Sequence, residues 1–210
     1  MNDMEKKIII NVGRQLGAGG HDIGRMLAMD FGAQYYDREL LNLAAKESGL
    51  SEKFLAKNDE HRSIIRSFLH LPSGLGTSSA YSRQGLSQDS FFKLQSDAIR
   101  KAAADHSCVF VGRCADYVLR DMDNVVNVFV TASMDFRIEQ VMAKRGFFSK
   151  VEARRFIEQG EADRASYYNY YTGKKWGYAE SYDLCVDSSV LGLMQTEKFI
   201  AEFVRKKLKL

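Results

Sequence analysis

A glycine-rich stretch near the start of the chain has the spacing of a phosphate-binding loop. It runs GRQLGAGG and directly follows the apolar run KIIINV; its glycines are Gly13, Gly17, Gly19 and Gly20. Closely spaced glycines let backbone N–H groups converge on an anion, and a helix that begins behind them adds its positive end. The same glycines could serve only a tight turn between a strand and a helix. We predict that this stretch, with Ala18, binds the phosphates of a nucleotide.

Three polar side chains beside these glycines could supply charge to a bound phosphate. The common phosphate loop has the pattern GxxxxGK[ST], but Gly20, His21 and Asp22 occupy the region of its lysine and hydroxyl residue. Arg14, inside the loop, could partly replace the lysine; His21 could donate to phosphate, and Asp22 could hold Mg²⁺ or its waters. The alternatives are an exposed turn arginine, a solvated histidine and an acid favoured by the helix dipole. We hypothesise that Arg14, His21 and Asp22 together replace the missing lysine and hydroxyl.

An acidic and a basic residue follow the second predicted strand. Asp37 stands directly after the run AQYY, and Arg38 comes next. Asp37 could orient an acceptor or a metal-bound water, and it could also cap the helix that begins there. Arg38 could contact an acceptor phosphate or remain solvated. We predict a catalytic and metal-binding role for Asp37 and a substrate-binding role for Arg38.

Alternating strands and helices must position these residues. Short, buried apolar runs predict strands at 7–12, 33–36, 108–111, 125–130 and 182–186. Apolar residues at helical spacing predict a short helix between the third and fourth strands and longer ones at 21–31, 37–48, 51–70, 90–104, 135–145, 150–168 and 191–208. The Ser- and Gly-rich stretch 71–88 is predicted to be a mobile functional loop, and 170–178 an aromatic and lysine loop. The alternation predicts an α/β fold whose ligands bind beyond the carboxyl ends of parallel strands.

Composition and charge narrow the class of protein. The chain has 210 residues, 45% of them hydrophobic and 27% charged, which fits one globular domain. The formal net charge is only +3 and the basic residues cluster locally, so we expect a phosphorylated small ligand and no nucleic acid. Three isolated cysteines and a short N-terminal apolar run predict a cytoplasmic protein without a membrane segment. A homodimer is compatible with the sequence.

Several blocks, in order along most of the chain, resemble one enzyme family. They are VGRQLGAGGHDIGRMLAMDFGAQYYDRELLNLAAKESGLSE, VFVGRCADYVLRD, VFVTASMDFRIEQVM, DRASYYNYYTGKKWG and YDLCVDSS. From about residue 7 to residue 193 the chain resembles the cytidylate kinase-like family, a branch of the P-loop nucleoside monophosphate kinases. The resemblance implies an α/β three-layer sandwich, with a five-stranded parallel sheet flanked by helices and a helical lid. It also implies phosphoryl transfer from ATP, with Mg²⁺, to a nucleotide such as CMP or dCMP.

The resemblance also implies how the chain is divided. One kinase-like domain is expected over 1–210, with a monophosphate-binding region at about 37–90 and a lid at about 145–178. Lid arginines of such kinases close over the transferring phosphoryl group; the candidates here are Arg145, Arg154, Arg155 and Arg164. A solvated basic helix face is the alternative for each.

Two further segments match family motifs residue by residue. Gly112-Arg113 resembles a GRD segment that contacts CMP, but Cys114 replaces its acid, for which Asp116 could substitute. Asp163-Arg164 resembles a DRA segment, which implies that Arg164 contacts the nucleotide. Because the loop lysine and the GRD acid are absent, two functions are open: a kinase, or a regulatory protein that binds a nucleotide with little or no transfer.

Overall fold

Five parallel strands form the centre of the computed structural model, which describes residues 7–37 and 88–210. They are β1 (Ile9–Arg14), β2 (Gln34–Tyr36), β3 (Cys108–Val111), β4 (Val125–Thr131) and β5 (Leu184–Asp187). Their order across the sheet is β2-β3-β1-β4-β5, and all neighbouring pairs are parallel. β1 therefore lies between β3 and β4, where the strand order reverses, and ligands of such sheets bind beside this point.

Helices cover both faces of the sheet. They are α1 (Gly20–Asp30), α2 (Gln88–Asp105), α3 (Ala115–Val118), α4 (Met134–Arg145), α5 (Lys150–Thr172) and α6 (Ser188–Leu208). α1 and α6 cover one face, where Val12 packs with Leu27 and Ile200. α2 covers the other, where Ile99 packs with Phe110. Because side chains alternate along each strand, both faces are apolar, and the predicted three-layer sandwich is confirmed.

A third apolar cluster joins α4 to α5 beside the glycine loop. Ile138 of α4 and Ile157 of α5 are its centre, and Leu16 of the loop packs against it. α5 lies within the region predicted to form a lid, at about 145–178, whereas α4 ends where that region begins. No helix in the described ranges is both long and apolar enough to span a membrane. Arg38, the helices predicted at 37–48 and 51–70, and almost all of the predicted loop at 71–88 lie outside the described residues.

β1 extends further than the sequence predicts. The predicted strand ends before Gly13, but Gly13 pairs with Phe129 and Arg14 with Val130 of β4. A Cβ atom on Gly13 would lie 2.7 Å from a ring carbon of Phe129, so this strand position favours glycine. Arg14 is therefore the last residue of a strand and not part of the loop, because the long β4 supplies a partner for it.

Three boundaries in the last third of the chain also differ. α5 continues to Thr172, so Tyr171, predicted in a loop, is helical and stacks on Phe92 of α2 with a ring distance of 4.1 Å. β5 begins at Leu184 and not at residue 182, since Tyr182 packs its ring on Phe129. α6 begins before the predicted residue 191 and is kinked at Gly192, whose φ is +73°. The ring contacts of Tyr171 and Tyr182 are with residues distant in the sequence, so local periodicity does not encode them. The early start of α6 has a local cause, because the Asp187 side chain caps the helix by accepting the Ser189 N–H.

Candidate functional site

The glycine loop is a short connection at the carboxyl end of the sheet. Only residues 15–19 separate β1 from α1. The Gln15 N–H donates to the Val130 carbonyl at 3.0 Å, and the Ser188 hydroxyl donates to the Ala18 carbonyl at 2.8 Å. The loop is thus tied to the end of β4 and to the start of α6, which holds its backbone in one position.

Two loop glycines have left-handed backbone conformations and lie against neighbouring helices. The φ angles of Gly17 and Gly19 are +86° and +78°. A Cβ atom on Gly17 would lie 2.7 Å from the Arg137 carbonyl oxygen, and one on Gly19 would lie 2.2 Å from a methyl group of Leu193. The fold therefore requires these glycines whether or not a ligand binds, so the glycines alone do not distinguish a phosphate loop from a tight turn.

A chain of polar side chains crosses the end of the sheet beside the loop. Arg14 Nη2 lies 3.3 Å from His21 Nε2, His21 Nδ1 lies 3.0 Å from the Tyr35 hydroxyl, and Tyr35 hydrogen-bonds to Asp37. Since Arg14 can only donate, Nε2 of His21 accepts and its Nδ1 carries the proton. Burial and the neighbouring Arg14 charge lower the pKa of His21 to about 4, so the ring is neutral at pH 7. Burial and Asp37 raise the pKa of Tyr35 to about 12.

Three arginines from separate parts of the chain converge on this chain of polar residues. Arg14 ends β1, Arg113 follows β3, and Arg164 comes from α5. Burial, followed by the charges of Arg164 and Arg113, lowers the pKa of Arg14 to about 9. Burial also lowers the pKa of Arg164, and Arg113 adds to the shift. The Arg14 Nε and Arg164 Nη1 atoms are buried without a hydrogen-bond acceptor among the described residues.

The backbone at Arg113 is held in an uncommon conformation. Arg113 and Cys114 have φ angles of +62° and +54°, which non-glycine residues seldom adopt outside functional or tightly constrained positions. The Arg113 guanidinium lies 5.6 Å from the ring centre of Tyr167 on α5. The turn after β3 therefore presents Arg113 to α5, which also supplies Arg164.

Glu161 of α5 joins the loop to α4. Its Oε1 atom accepts the Leu16 N–H at 2.7 Å, and its Oε2 atom accepts from Arg137 Nη1 at 3.1 Å. Arg164 Nη1 lies 3.9 Å from the same carboxylate. Sequence reasoning missed Glu161, Arg137 and Tyr35; helical spacing three residues before Arg164 is the signal that could have identified Glu161.

Other predicted site residues have partners elsewhere. Asp22 forms an ion pair with Lys144 of α4. Asp116 is buried and accepts a hydrogen bond from the Tyr168 hydroxyl at 2.6 Å, and burial raises the pKa of Asp116. Arg154 and Arg155 lie on the exposed face of α5, and Arg154 pairs with Glu158. Within residues 7–37 and 88–210, no three His, Cys, Asp or Glu side chains form a group that could hold a metal ion.

Comparison with known proteins identifies the fold and one relative of unassigned function. No curated protein matches the sequence. The crystal structure of an uncharacterized protein from Eubacterium ventriosum ATCC 27560 is 28% identical, with a TM-score of 0.73, over 96% of this chain and 99% of that one. Shikimate kinase from Bacteroides thetaiotaomicron is 14% identical, with a TM-score of 0.52, over 97% and 99% of the two chains.

A second shikimate kinase supports the same fold. The enzyme from Acinetobacter baumannii, solved in complex with shikimate, is 10% identical, with a TM-score of 0.50, over 96% of this chain and 95% of that one. The α/β fold of this chain is therefore that of P-loop kinases. The model of the cytidylate kinase-like family matches residues 9–190. Because that match spans most of the sequence, the chain belongs to the cytidylate kinase-like family.

Proposed function

We propose that the protein transfers the terminal phosphoryl group of ATP to a nucleoside monophosphate, with CMP or dCMP as the favoured acceptor. Family membership supports a kinase-like function, and the loop after β1 supports a phosphorylated donor. The acceptor preference comes from the family resemblance, which includes Arg113 and Arg164.

The convergence of Arg14, Arg113 and Arg164 is the observation that carries this proposal. Three guanidinium groups repel one another, and the lowered pKa values of Arg14 and Arg164 reflect both burial and that repulsion. A phosphate group relieves the repulsion and supplies acceptors for the buried N–H groups of Arg14 and Arg164. Phosphoryl transfer depends mainly on positioning and on such charge stabilisation, so the cluster suits this chemistry.

The described residues fit the phosphates of ATP better than they fit a metal ion. N–H groups of the loop and of the α1 N-terminus could hold donor phosphates; the residues concerned are Gly17, Gly19, Gly20 and His21. Of the other predicted phosphate-binding residues, Gly13 lies in β1, and the Ala18 N–H donates to the Gln15 carbonyl. Asp22 and Asp37, the predicted metal ligands, are paired with Lys144 and with Tyr35, respectively. We propose that Mg²⁺ arrives bound to ATP, where it would neutralise phosphate charge.

Each side chain then has a role in binding or orientation. Arg164 stabilises the charge on the transferring group, and Arg113 binds the acceptor phosphate. Asp37, held by Tyr35, orients the acceptor. α5 contributes Arg164 and packs beside the loop, so this helix also shields the reacting groups from water.

A second candidate function is a nucleotide-binding regulatory protein without transfer. Gly20 stands where the loop lysine is expected, and Cys114 stands where the resemblance places an acid. Asp22, which could hold a metal, pairs instead with Lys144. If this second function is correct, ATP raises the thermal unfolding midpoint of the protein, but no acceptor in the panel causes conversion of ATP to ADP.

Release of ADP from Mg²⁺-ATP tests the proposal. The acceptor panel contains CMP, dCMP, UMP and AMP, with an acceptor-free control. We expect CMP- or dCMP-dependent turnover, which Arg164→Ala lowers by about a hundredfold or more. The matched control is Arg100→Ala, an exposed arginine of α2 that pairs with Asp97. ATP binding without turnover for any acceptor would favour the regulatory function, and unchanged kinetics in Arg164→Ala would remove that residue from the mechanism.

A further inference from the structure

The side chain of Arg14 lies over the residue that stands in place of the loop lysine. A Cβ atom built on Gly20 would lie 2.6 Å from both Cβ and Cγ of Arg14. Gly20 is the first residue of α1, the position from which the lysine of a common phosphate loop extends. The space next to Gly20, which a longer side chain would enter, therefore contains the Arg14 side chain.

A second glycine accommodates the other end of Arg14. A Cβ atom on Gly112, which follows β3, would lie 2.3 Å from Arg14 Nη1. The Arg14 side chain thus extends from the start of α1 towards the turn after β3, between two residues without side chains. Any larger residue at Gly20 or Gly112 would displace it.

We infer that Arg14, which reaches over Gly20 from the end of β1, binds the donor phosphates in place of the loop lysine. This inference rests on the proposed function, because it assigns a residue to the donor phosphates of that site. The three residues hypothesised to replace the lysine then have different roles. Arg14 contacts phosphate, His21 positions Arg14, and Asp22 pairs with Lys144.

The contacts of Arg14 leave it able to bind an anion. Its Nη2 atom donates to His21, whose ring is neutral, and its buried Nε atom has no acceptor among the described residues. The groups that face it are His21, Tyr35, Asp37 and the cations Arg113 and Arg164. A phosphate that enters between these cations offsets their mutual repulsion and accepts from the guanidinium.

Two other cations near the loop have carboxylate partners. Lys144 pairs with Asp22, and Arg137 pairs with Glu161 at 3.1 Å. Among the described residues, Arg14 is the cation whose aliphatic carbons lie against Gly20, the first residue of α1. The phosphate-binding cation would thus be an arginine at the end of β1, whereas in the common phosphate loop it is a lysine at the start of the helix.

A position-exchange experiment tests this inference. Four proteins are compared with the wild type: Arg14→Ala, Gly20→Lys, Arg14→Ala/Gly20→Lys and Arg14→Ala/Gly20→Ala. Binding of ATP and of pyrophosphate is measured by calorimetry, and folding is checked by the thermal unfolding midpoint. The double variant with alanine at both positions controls for the space that Arg14 vacates.

We expect Arg14→Ala to weaken binding of both probes by about tenfold to a hundredfold, the range for a lost charged hydrogen bond. Gly20→Lys alone should lower the unfolding midpoint, because the new side chain collides with Arg14. The Arg14→Ala/Gly20→Lys protein should recover at least tenfold of the lost affinity, whereas Arg14→Ala/Gly20→Ala should recover none. Recovery by exchange would support the inference.

Three results would overturn it. If Arg14→Ala binds both probes as the wild type does, Arg14 does not contact phosphate, although the proposed function stands. If Arg14→Ala/Gly20→Lys unfolds at the wild-type temperature but recovers no affinity, a lysine at position 20 cannot do what Arg14 does, and Arg14 does not replace the loop lysine. If the folded wild type binds neither ATP nor pyrophosphate, the proposed function fails and this inference fails with it.

Discussion

His21 is neutral because burial and the Arg14 charge oppose its protonation more strongly than Asp37 favours it. Its ring accepts from Arg14 and donates to Tyr35, so it orients two groups without adding charge. Protonation would place a donor opposite Arg14 Nη2 and turn this hydrogen bond into a repulsive contact. The neutral ring is therefore a condition for holding Arg14 where it lies.

This residue makes the stability of the protein depend on pH. The pKa of His21 is about 6.5 in an unfolded chain and about 4 in the folded protein. The unfolded state therefore takes up the proton first, and stability is lost as pH falls from about 6.5 towards 4. Because 46% of the side chain is exposed, screening limits the effect, and we expect a loss of about 1 kcal/mol.

Urea unfolding at pH 7.5 and at pH 4.5 checks this expectation. The contribution of His21 is the difference between the wild type and His21→Gln, since other groups titrate in both proteins. Gln keeps an acceptor and a donor but does not titrate in this range. If both proteins lose the same free energy of unfolding between the two pH values, His21 is not the group responsible.

At the scale of elements, the loop between β1 and α1 is positioned by α4 and α6. Gly17 lies against the Arg137 carbonyl of α4, and Gly19 lies against Leu193 of α6. The loop conformation thus depends on helices that follow it by more than a hundred residues. A substitution there tests packing between elements as well as backbone strain.

We expect Gly17→Ala to lower the free energy of unfolding by about 3 kcal/mol. Its φ of +86° costs an L-residue about 1 to 2 kcal/mol, and the contact with Arg137 adds overpacking. The control is Gly173→Ala at the end of α5, where φ is +67° but a Cβ atom would meet nothing within 4 Å. Urea unfolding should show a loss of only about 1 kcal/mol there. Equal losses in the two variants would mean that α4 does not constrain the loop.

At the scale of the molecule, Glu161 links the loop, α4 and α5. It accepts the Leu16 N–H, pairs with Arg137 and lies near Arg164. Only 7% of the Arg137 side chain and 18% of the Glu161 side chain are exposed, so this pair is shielded from solvent. Removal of one partner leaves the other charge buried without compensation.

We expect Glu161→Gln to destabilise the protein by about 3 kcal/mol. The double variant Glu161→Gln/Arg137→Met should lose less than the sum of the single variants, which a double-mutant cycle by urea unfolding measures. The exposed pair of Lys93 and Asp97 on α2 is the comparison, and its coupling should be about 0.5 kcal/mol. Additive losses at Glu161 and Arg137 would show that the pair does not couple α5 to α4.

The sequence predicts most of the fold and part of the candidate site. The glycine spacing, the alternation of strands and helices, and the family resemblance predicted the fold, and the resemblance drew attention to Arg113 and Arg164. Sequence reasoning also connected Arg14 with the missing lysine, but it placed Arg14 in the loop. It missed Glu161 and Tyr35, because their importance comes from partners that are distant in the sequence or on another element.

The sequence alone determined the order and type of most elements, since apolar periodicity and glycine positions act over a few neighbouring residues. Only the tertiary structure decided which charges meet. Asp22 pairs with Lys144, 122 residues away, and Leu16 meets Glu161, 145 residues away. The strand order β2-β3-β1-β4-β5 brings these segments together, and it extends β1 to Arg14 because β4 provides the partner. Such pairings depend on packing between distant segments, which no local pattern specifies.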